Sequence, residues 1–502
     1  MNVRRLRWIC EFSGLVLIGA VATLALTLFH SALSILFALI APLLLVLFSK
    51  ALLDGTRKFI WLLRSLRWWH AFWLLLFVSG LVFRIRSGNS LYEESLDSWA
   101  FFRVALVSLT GLLLLGRLAV RRTLWVSSMV RGLIGIVTAY SLICVASTLW
   151  SVYPAWTLYK SLEYLVDVAM LAALLATFRS REGYQNLFDW TWVLYGLLLA
   201  SVWMGVLIWP SQALHPRIGA LGVQLDGIFP AVNANSVGEF AAVLAIVALA
   251  RLLRQGPHSD RAWYGLLFVA SFITMLFAQG RSAIAGFVVG AILVLSFSKR
   301  AILSIGLAAG AALFLFLAAA NGWLWEFLRR GESDQEIQSL SGRTEYWQLA
   351  WQKFVEHPLI GYGAYAAGRS FIMTVMREDP GSMHSEYVEI LMGTGLWGMV
   401  PVVAALLATW WWLIRSLRDS SLDWFEHSLA VEASGVLAVI SVRSFFSPNL
   451  FWHVPLIFFA VLSYAEFLRR KKTSPAALPR RLPLSRISCN HDSRQVSTSS
   501  GL

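Results

Sequence analysis

Apolar runs of about 17–25 residues recur along nearly the whole chain, and no other feature constrains the fold as strongly. Inside lipid every backbone N–H and C=O must be paired within the protein, so only helices or closed barrels can cross. Barrel strands need only about 9–11 residues of alternating character. The runs here are continuous. The sequence therefore predicts an all-α, polytopic transmembrane helical bundle of about 12–14 helices. They are read at 12–29, 31–48, 68–83, 99–116, 132–149, 161–178, 187–209, 232–250, 262–279, 282–298, 301–320, 388–414, 428–446 and 451–468. Charged residues make up 14% of the chain, against about 25% in soluble domains, which agrees. MNVRRLRW leads into the first run without a small-residue cleavage pattern, so the start reads as a retained anchor.

Net charge is +14, which in a soluble protein would suggest nucleic acid. The distribution of the charge points to a membrane instead. Lys and Arg near helix ends are retained on the cytoplasmic side. With the N-terminus inside, every inner segment is basic, and these segments hold 29 of the 42 Lys and Arg. Short outer connections then carry few cations, and those few draw notice: Arg84 and Arg86 in FRIRSG, Arg217 in HPRIG, Arg281 in AQGRSA. Four parts follow: about eleven helices over 1–320, an external segment at 321–387, about three helices over 388–468, and a basic cytoplasmic tail at 469–502 whose composition reads as disordered. Cys10, Cys144 and Cys489 fall in or beside different segments and imply no disulfide.

The external segment holds the densest polar chemistry. In RTEYWQLAWQKFVEHP, Tyr346, Trp347, Ala350, Trp351 and Phe354 recur at three- and four-residue spacing, predicting one helical face that lies at the membrane interface. Ser341 or Gly342 caps its start, and His357-Pro358 ends it. LIGYGAYAAGRSF follows, with glycines suited to a flexible turn; no strand precedes them to make a phosphate loop. Then HSEYVEILMGTGLWG crowds His384, Glu386, Tyr387 and Glu389 at the start of the next apolar run.

Several of these elements together resemble the O-antigen ligase/polymerase family. SGRTEYWQLAWQKFVEHPLIGYGAYAAG followed by MHSEYVEILMGTGLWGMV is similar to its signature region; LWSVYPAWTLYKSLEYL to its W-S-x-x-P element; RIGALGVQLDGIFPAVNANSVGEF to its R-x-x-G followed by N-P-N; and FAQGRSAIAG to its S-R helix start. The matches run in order over roughly 150–400. Two positions depart: Ser385 stands where the family has Asn, and Asn233-Ala234-Asn235 stands for N-P-N.

The resemblance implies an integral-membrane glycosyltransferase of the GT-C type. It would transfer a glycan from undecaprenyl diphosphate to a glycolipid or glycan acceptor at the outer face of the bacterial cytoplasmic membrane, using neither cofactor nor metal. On that reading His384, Arg281 and Arg217 are catalytic, the histidine as general base and the arginines holding the diphosphate. Arg343, Glu386, Tyr387, Asn235 and Arg443 are candidate substrate-binding residues. The chemistry suits the residue types: neutral imidazole accepts a hydroxyl proton near pH 7, and guanidinium grips phosphate in a fork. The bland reading is an interfacial histidine, snorkelling arginines and belt aromatics. A polymerase using the same donor is the alternative within the family. A transporter or flippase is the alternative outside it, but would be expected to show inverted repeats around charges at the midplane, which this sequence lacks.

Overall fold

A computed structural model describes residues 32–81, 98–121, 125–178, 180–216, 220–254, 260–340, 342–376, 382–451 and 455–473. It is an all-α bundle, relieved by one short hairpin, Leu214–Pro216 paired antiparallel with Val223–Leu225. Thirteen of the fourteen expected helices fall on described helices; the expected helix at 12–29 lies outside the described residues. Among the described residues six helices are long and apolar enough to cross a membrane: Gly132–Trp150, Arg181–Ile208, Ala234–Leu253, Arg261–Ala278, Glu386–Leu417 and Trp424–Ser444. The pair Ser304–Ala320 and Trp323–Arg329, bent by 85°, makes a seventh candidate. Several boundaries differ from expectation: the helices read at 161–178 and 187–209 begin at Pro154 and Arg181, and the one read at 451–468 spans Leu456–Thr473. The helix read at 31–48 runs on to Arg64, because Leu, Lys and Arg beyond it are good helix formers and nothing there breaks the ladder.

Two helices form the centre. Ala234–Leu253 and Trp424–Ser444 have most of their residues buried. Small residues allow the close approach: a Cβ on Gly290 would meet the Gly435 carbonyl at 2.8 Å, so the Arg281–Phe297 helix lies backbone to backbone against Trp424–Ser444. That contact places Ser282 against Arg443, whose Nη1 donates to Ser282 Oγ at 3.0 Å.

The described residues of 321–387 fold as a cap over the start of the Glu386–Leu417 helix, with a small core of Ala350, Ala367, Ile372 and Met383 closed by Met392 of that helix. Four helices make it up: Trp323–Arg329, Asp334–Gln338, Arg343–Glu356 and Ala367–Val375. Only Arg343–Glu356 was evident as a helix in the sequence. Gly342 caps that helix and His357 ends it; Trp351 packs beside Phe354 with ring centroids 5.4 Å apart, but is 61% exposed and stays out of the small core. Leu349 takes part in the packed side instead.

The glycines of LIGYG do not make a flexible turn. Tyr362 and Gly363 donate backbone N–H groups to the carbonyls of Met392 and Gly393 at 2.9 and 2.8 Å, and Leu396 and Trp397 donate to those of Pro358 and Leu359 at 2.9 and 3.1 Å. The Glu386–Leu417 helix is therefore broken, and the loop fills the break. Gly395 makes this possible with φ 59°, ψ −153°, a region open essentially to glycine alone. A Cβ there would also lie 2.5 Å from the Leu359 carbonyl. Gly395→Ala is expected to cost about 3 kcal/mol or more, combining backbone strain with a clash against main chain; thermal unfolding in detergent checks it.

Candidate functional site

Three helix starts carry the candidate side chains: Arg281–Phe297, Arg343–Glu356 and Glu386–Leu417. In none does the N-cap side chain accept a hydrogen bond from the first turn; two of the caps are Gly280 and Gly342. Helix N-termini with uncapped N–H groups favour anions, and placing arginine there is unfavourable unless an anion is at hand.

Arg281 is the first residue of its helix, after Gln279 turns the chain through a left-handed φ of 51°. Its Nη2 donates to Glu332 Oε2 at 2.7 Å. Arg330 reaches the other oxygen, Nη2 to Oε1 at 2.5 Å, while its Nη1 donates to the Gln279 carbonyl at 3.1 Å. Arg343 is half-buried nearby. Burial first, then the positive charges of Arg443, Arg281 and Arg330, push its pKa down to about 10, which leaves it charged at neutral pH. Among the described residues, Arg281, Arg330, Arg343 and Arg443 thus form one electrostatic neighbourhood with Glu332 as a counter-charge.

His384 occupies the short link between the cap and the broken helix. Its φ is 54°, an uncommon value for a side chain of its size, held by contacts on either side. Met383 before it is fully buried: its N–H donates to the Glu389 carboxylate, and its carbonyl accepts Trp347 Nε1 at 2.9 Å. The His384 N–H donates to Ser382 Oγ at 3.2 Å, and the ring lies over Tyr346 with centroids 6.2 Å apart. Burial lowers the imidazole pKa to about 4, helped by the charges of Arg343 and Arg443. It is therefore neutral across the physiological range.

Below this surface a polar network ties the helices together. Arg443 is 1% exposed; besides Ser282 it donates Nη2 to the Asn235 carbonyl at 3.2 Å, and its Nε lies 3.2 Å from Glu239 Oε2. Asn449 Nδ2 donates to Glu239 Oε1 at 2.8 Å. Glu386 accepts the backbone N–H groups of Asn449, Leu450 and Phe451 at 2.5, 2.9 and 3.2 Å, so its carboxylate holds the turn after Trp424–Ser444. Tyr387 is hydrogen-bonded through its hydroxyl to Ser444 at 3.0 Å and packs on Phe445. Asn235 joins through its main chain, and the cap of its helix is Asn233, which accepts the Ser236 N–H at 2.9 Å.

Of the residues singled out in the sequence, the structure brings Arg343 and Arg443 within electrostatic reach of His384, and Arg281 within reach of Arg343, with Glu386, Tyr387 and Asn235 on the frame beneath them. Arg217, Arg84 and Arg86 lie outside the described residues. His215 is half-exposed and pairs with Asp226 at 3.2 Å. Sequence reasoning missed Arg330, Glu332, Glu239 and Asn449. Glu239 left a signal, a carboxylate inside the apolar run of EFAAVLAIVALA, where ionisable groups are costly and mark function. Arg330 and Glu332 left none, since charges in a long polar segment are expected to be solvated.

Residues 266–403 match the family model described as O-antigen ligase. The match covers Arg281, Arg330, Glu332, Arg343 and His384, together with the cap and the broken helix through its break at Gly395. No curated protein matches the chain.

Proposed function

We propose, from the match of residues 266–403 to the O-antigen ligase model, that the chain is a multi-pass glycosyltransferase of the bacterial inner membrane, moving a glycan from undecaprenyl diphosphate to an acceptor hydroxyl at the outer face. One observation carries the reading: a neutral, half-buried imidazole at His384 lies under the field of arginines that also suit a diphosphate. Attack by a hydroxyl on an anomeric carbon needs a base for the proton and cations for the leaving group. His384 supplies the first, and Arg281 and Arg343 the second. Arg443 acts from beneath, through its charge and by fixing Ser282 and Asn235. Arg217 is assigned to the donor on the family resemblance alone.

The low pKa of His384 has a consequence for the order of events. A base with pKa near 4 is weak. A bound diphosphate offsets the positive field of Arg343 and Arg443 and raises the basicity of the imidazole only when donor is present. Proton abstraction is thereby coupled to occupancy. Glu386 and Tyr387 keep the start of the broken helix in place, so they support the base rather than replace it.

The test is reconstitution of purified protein with an undecaprenyl-diphosphate glycan and a glycolipid acceptor, with products sized on a gel. One addition per acceptor is the expected result and identifies a ligase. A ladder formed from donor alone identifies the polymerase alternative. Donor that stays intact under both conditions would remove the glycosyltransferase reading.

A further inference from the structure

Glu332 takes both arginines at once. Oε2 binds Arg281 at 2.7 Å and Oε1 binds Arg330 at 2.5 Å, so one carboxylate spans two guanidinium groups from different elements. The turn that delivers it is built for the purpose. Arg330 and Gly331 adopt left-handed φ of 53° and 73°, reversing the chain directly after Trp323–Arg329. The Glu332 N–H donates to the Arg329 carbonyl at 2.9 Å, and Arg329 Nε donates back to the Glu332 carbonyl at 3.0 Å. Arg329 Nη2 also holds Asp334 at 2.8 Å. On the other side, Arg330 is tied by Nη1 to the Gln279 carbonyl, two residues before Arg281. Both guanidiniums are thus fixed to one turn, while the Glu332 carboxylate lies between them, 13% exposed.

We propose that Glu332 is an internal place-holder for an anionic ligand, and that Arg330 is a further ligand for the donor's diphosphate, gripping it jointly with Arg281 once the carboxylate has been displaced. The inference rests on the donor reading given above. Two guanidiniums converging on two oxygens of one anion is the geometry by which adjacent phosphates are held. An empty cluster of Arg281, Arg330, Arg343 and Arg443 would repel itself; the lowered pKa of Arg343 comes first from burial and then from that repulsion. Glu332 relieves it in the resting state. A diphosphate carries more negative charge than a carboxylate and outcompetes it; when the product lipid diphosphate leaves, the carboxylate returns and assists release. A merely structural Glu332 makes the opposite prediction, because removing it would loosen the arginines and weaken anion binding.

The probe is inorganic pyrophosphate, titrated calorimetrically into the purified full-length protein at low ionic strength. Glu332→Gln is expected to bind it about tenfold tighter than the parent, with the gain shrinking as salt rises. Adding Arg330→Gln is expected to abolish most of that gain. If Glu332→Gln is poorly folded, Glu332→Asp serves: its shorter side chain cannot span both guanidiniums, so binding still tightens, but less. Equal or weaker binding in the carboxylate variants, or a gain that survives loss of Arg330, overturns the inference. Glycan transfer by the parent protein, measured alongside, separates the two readings. Normal transfer without tightening removes only the place-holder; tightening without transfer leaves the anion site and removes the donor assignment.

Discussion

His384→Ala is expected to lower the turnover of glycan transfer by about 10²–10⁴-fold, the range supplied by a positioned general base. The side chain is half-buried and its own contact in the cap is with the Tyr346 ring, while the hydrogen bonds that shape the link belong to its neighbours and main chain. Folding should therefore survive, and donor binding by the arginines should change little. The effect falls on kcat rather than on the donor KM. The same group sets the acid limb of the pH profile. Its free-protein pKa is about 4, below the usual 6.5, so the neutral, competent form persists as pH falls and is lost only on approaching 4. kcat/KM of the parent is expected to hold from pH 7 to about 5, and the alanine variant should lose this limb. A limb near 6.5 would mean a solvated imidazole and a different base.

Arg443→Met is expected to cost about 3–5 kcal/mol of stability, the penalty for removing one partner of a buried charge pair. Arg443 is 1% exposed and neutralises Glu239, which sits in the centre of the bundle and is held otherwise by Asn449. Without the guanidinium, Glu239 is left as an unpaired carboxylate, and Ser282 and the Asn235 carbonyl lose a donor. Thermal unfolding in detergent measures the loss. Adding Glu239→Gln should recover part of it, because the stranded charge is then gone. An unchanged melting temperature in the single variant would show that the pair carries no stability.

The bundle was legible because helices in lipid must be continuous and apolar, and that leaves a trace which packing does not blur. His384, Arg281 and Arg343 were singled out by motif, and Arg281 also as a cation in a short connection read as outer; the structure adds the electrostatic coupling of Arg343 to Arg281 and to His384. Other features were hidden for physical reasons. Gly395 lies in GTGLWG inside an apolar run, where nothing distinguishes a helix break from a packing glycine; only the Pro358 and Leu359 carbonyls and the Tyr362 and Gly363 N–H groups bonded around it reveal the break. Leu349 joins the small core and Trp351 does not, because three- and four-residue spacing marks a face without telling which of its margins is packed. The Glu332 clamp depends on two left-handed residues in a turn, and one of them is Arg330, a residue type that gives no warning of that conformation. Asn449 follows a proline in SPNL and reads as a loop residue, yet it connects Glu239 to the turn that Glu386 holds.

The account depends above all on the side of the membrane that the imidazole and guanidiniums face, because the proposed transfer takes place at the outer face. Gln352 is exposed on the Arg343–Glu356 helix, which packs against the segment bearing His384. With Cys10, Cys144 and Cys489 replaced by alanine, Gln352→Cys in intact spheroplasts is predicted to react with a membrane-impermeant maleimide. Labelling that appears only after the membrane is broken would put the site in the cytosol and contradict the account.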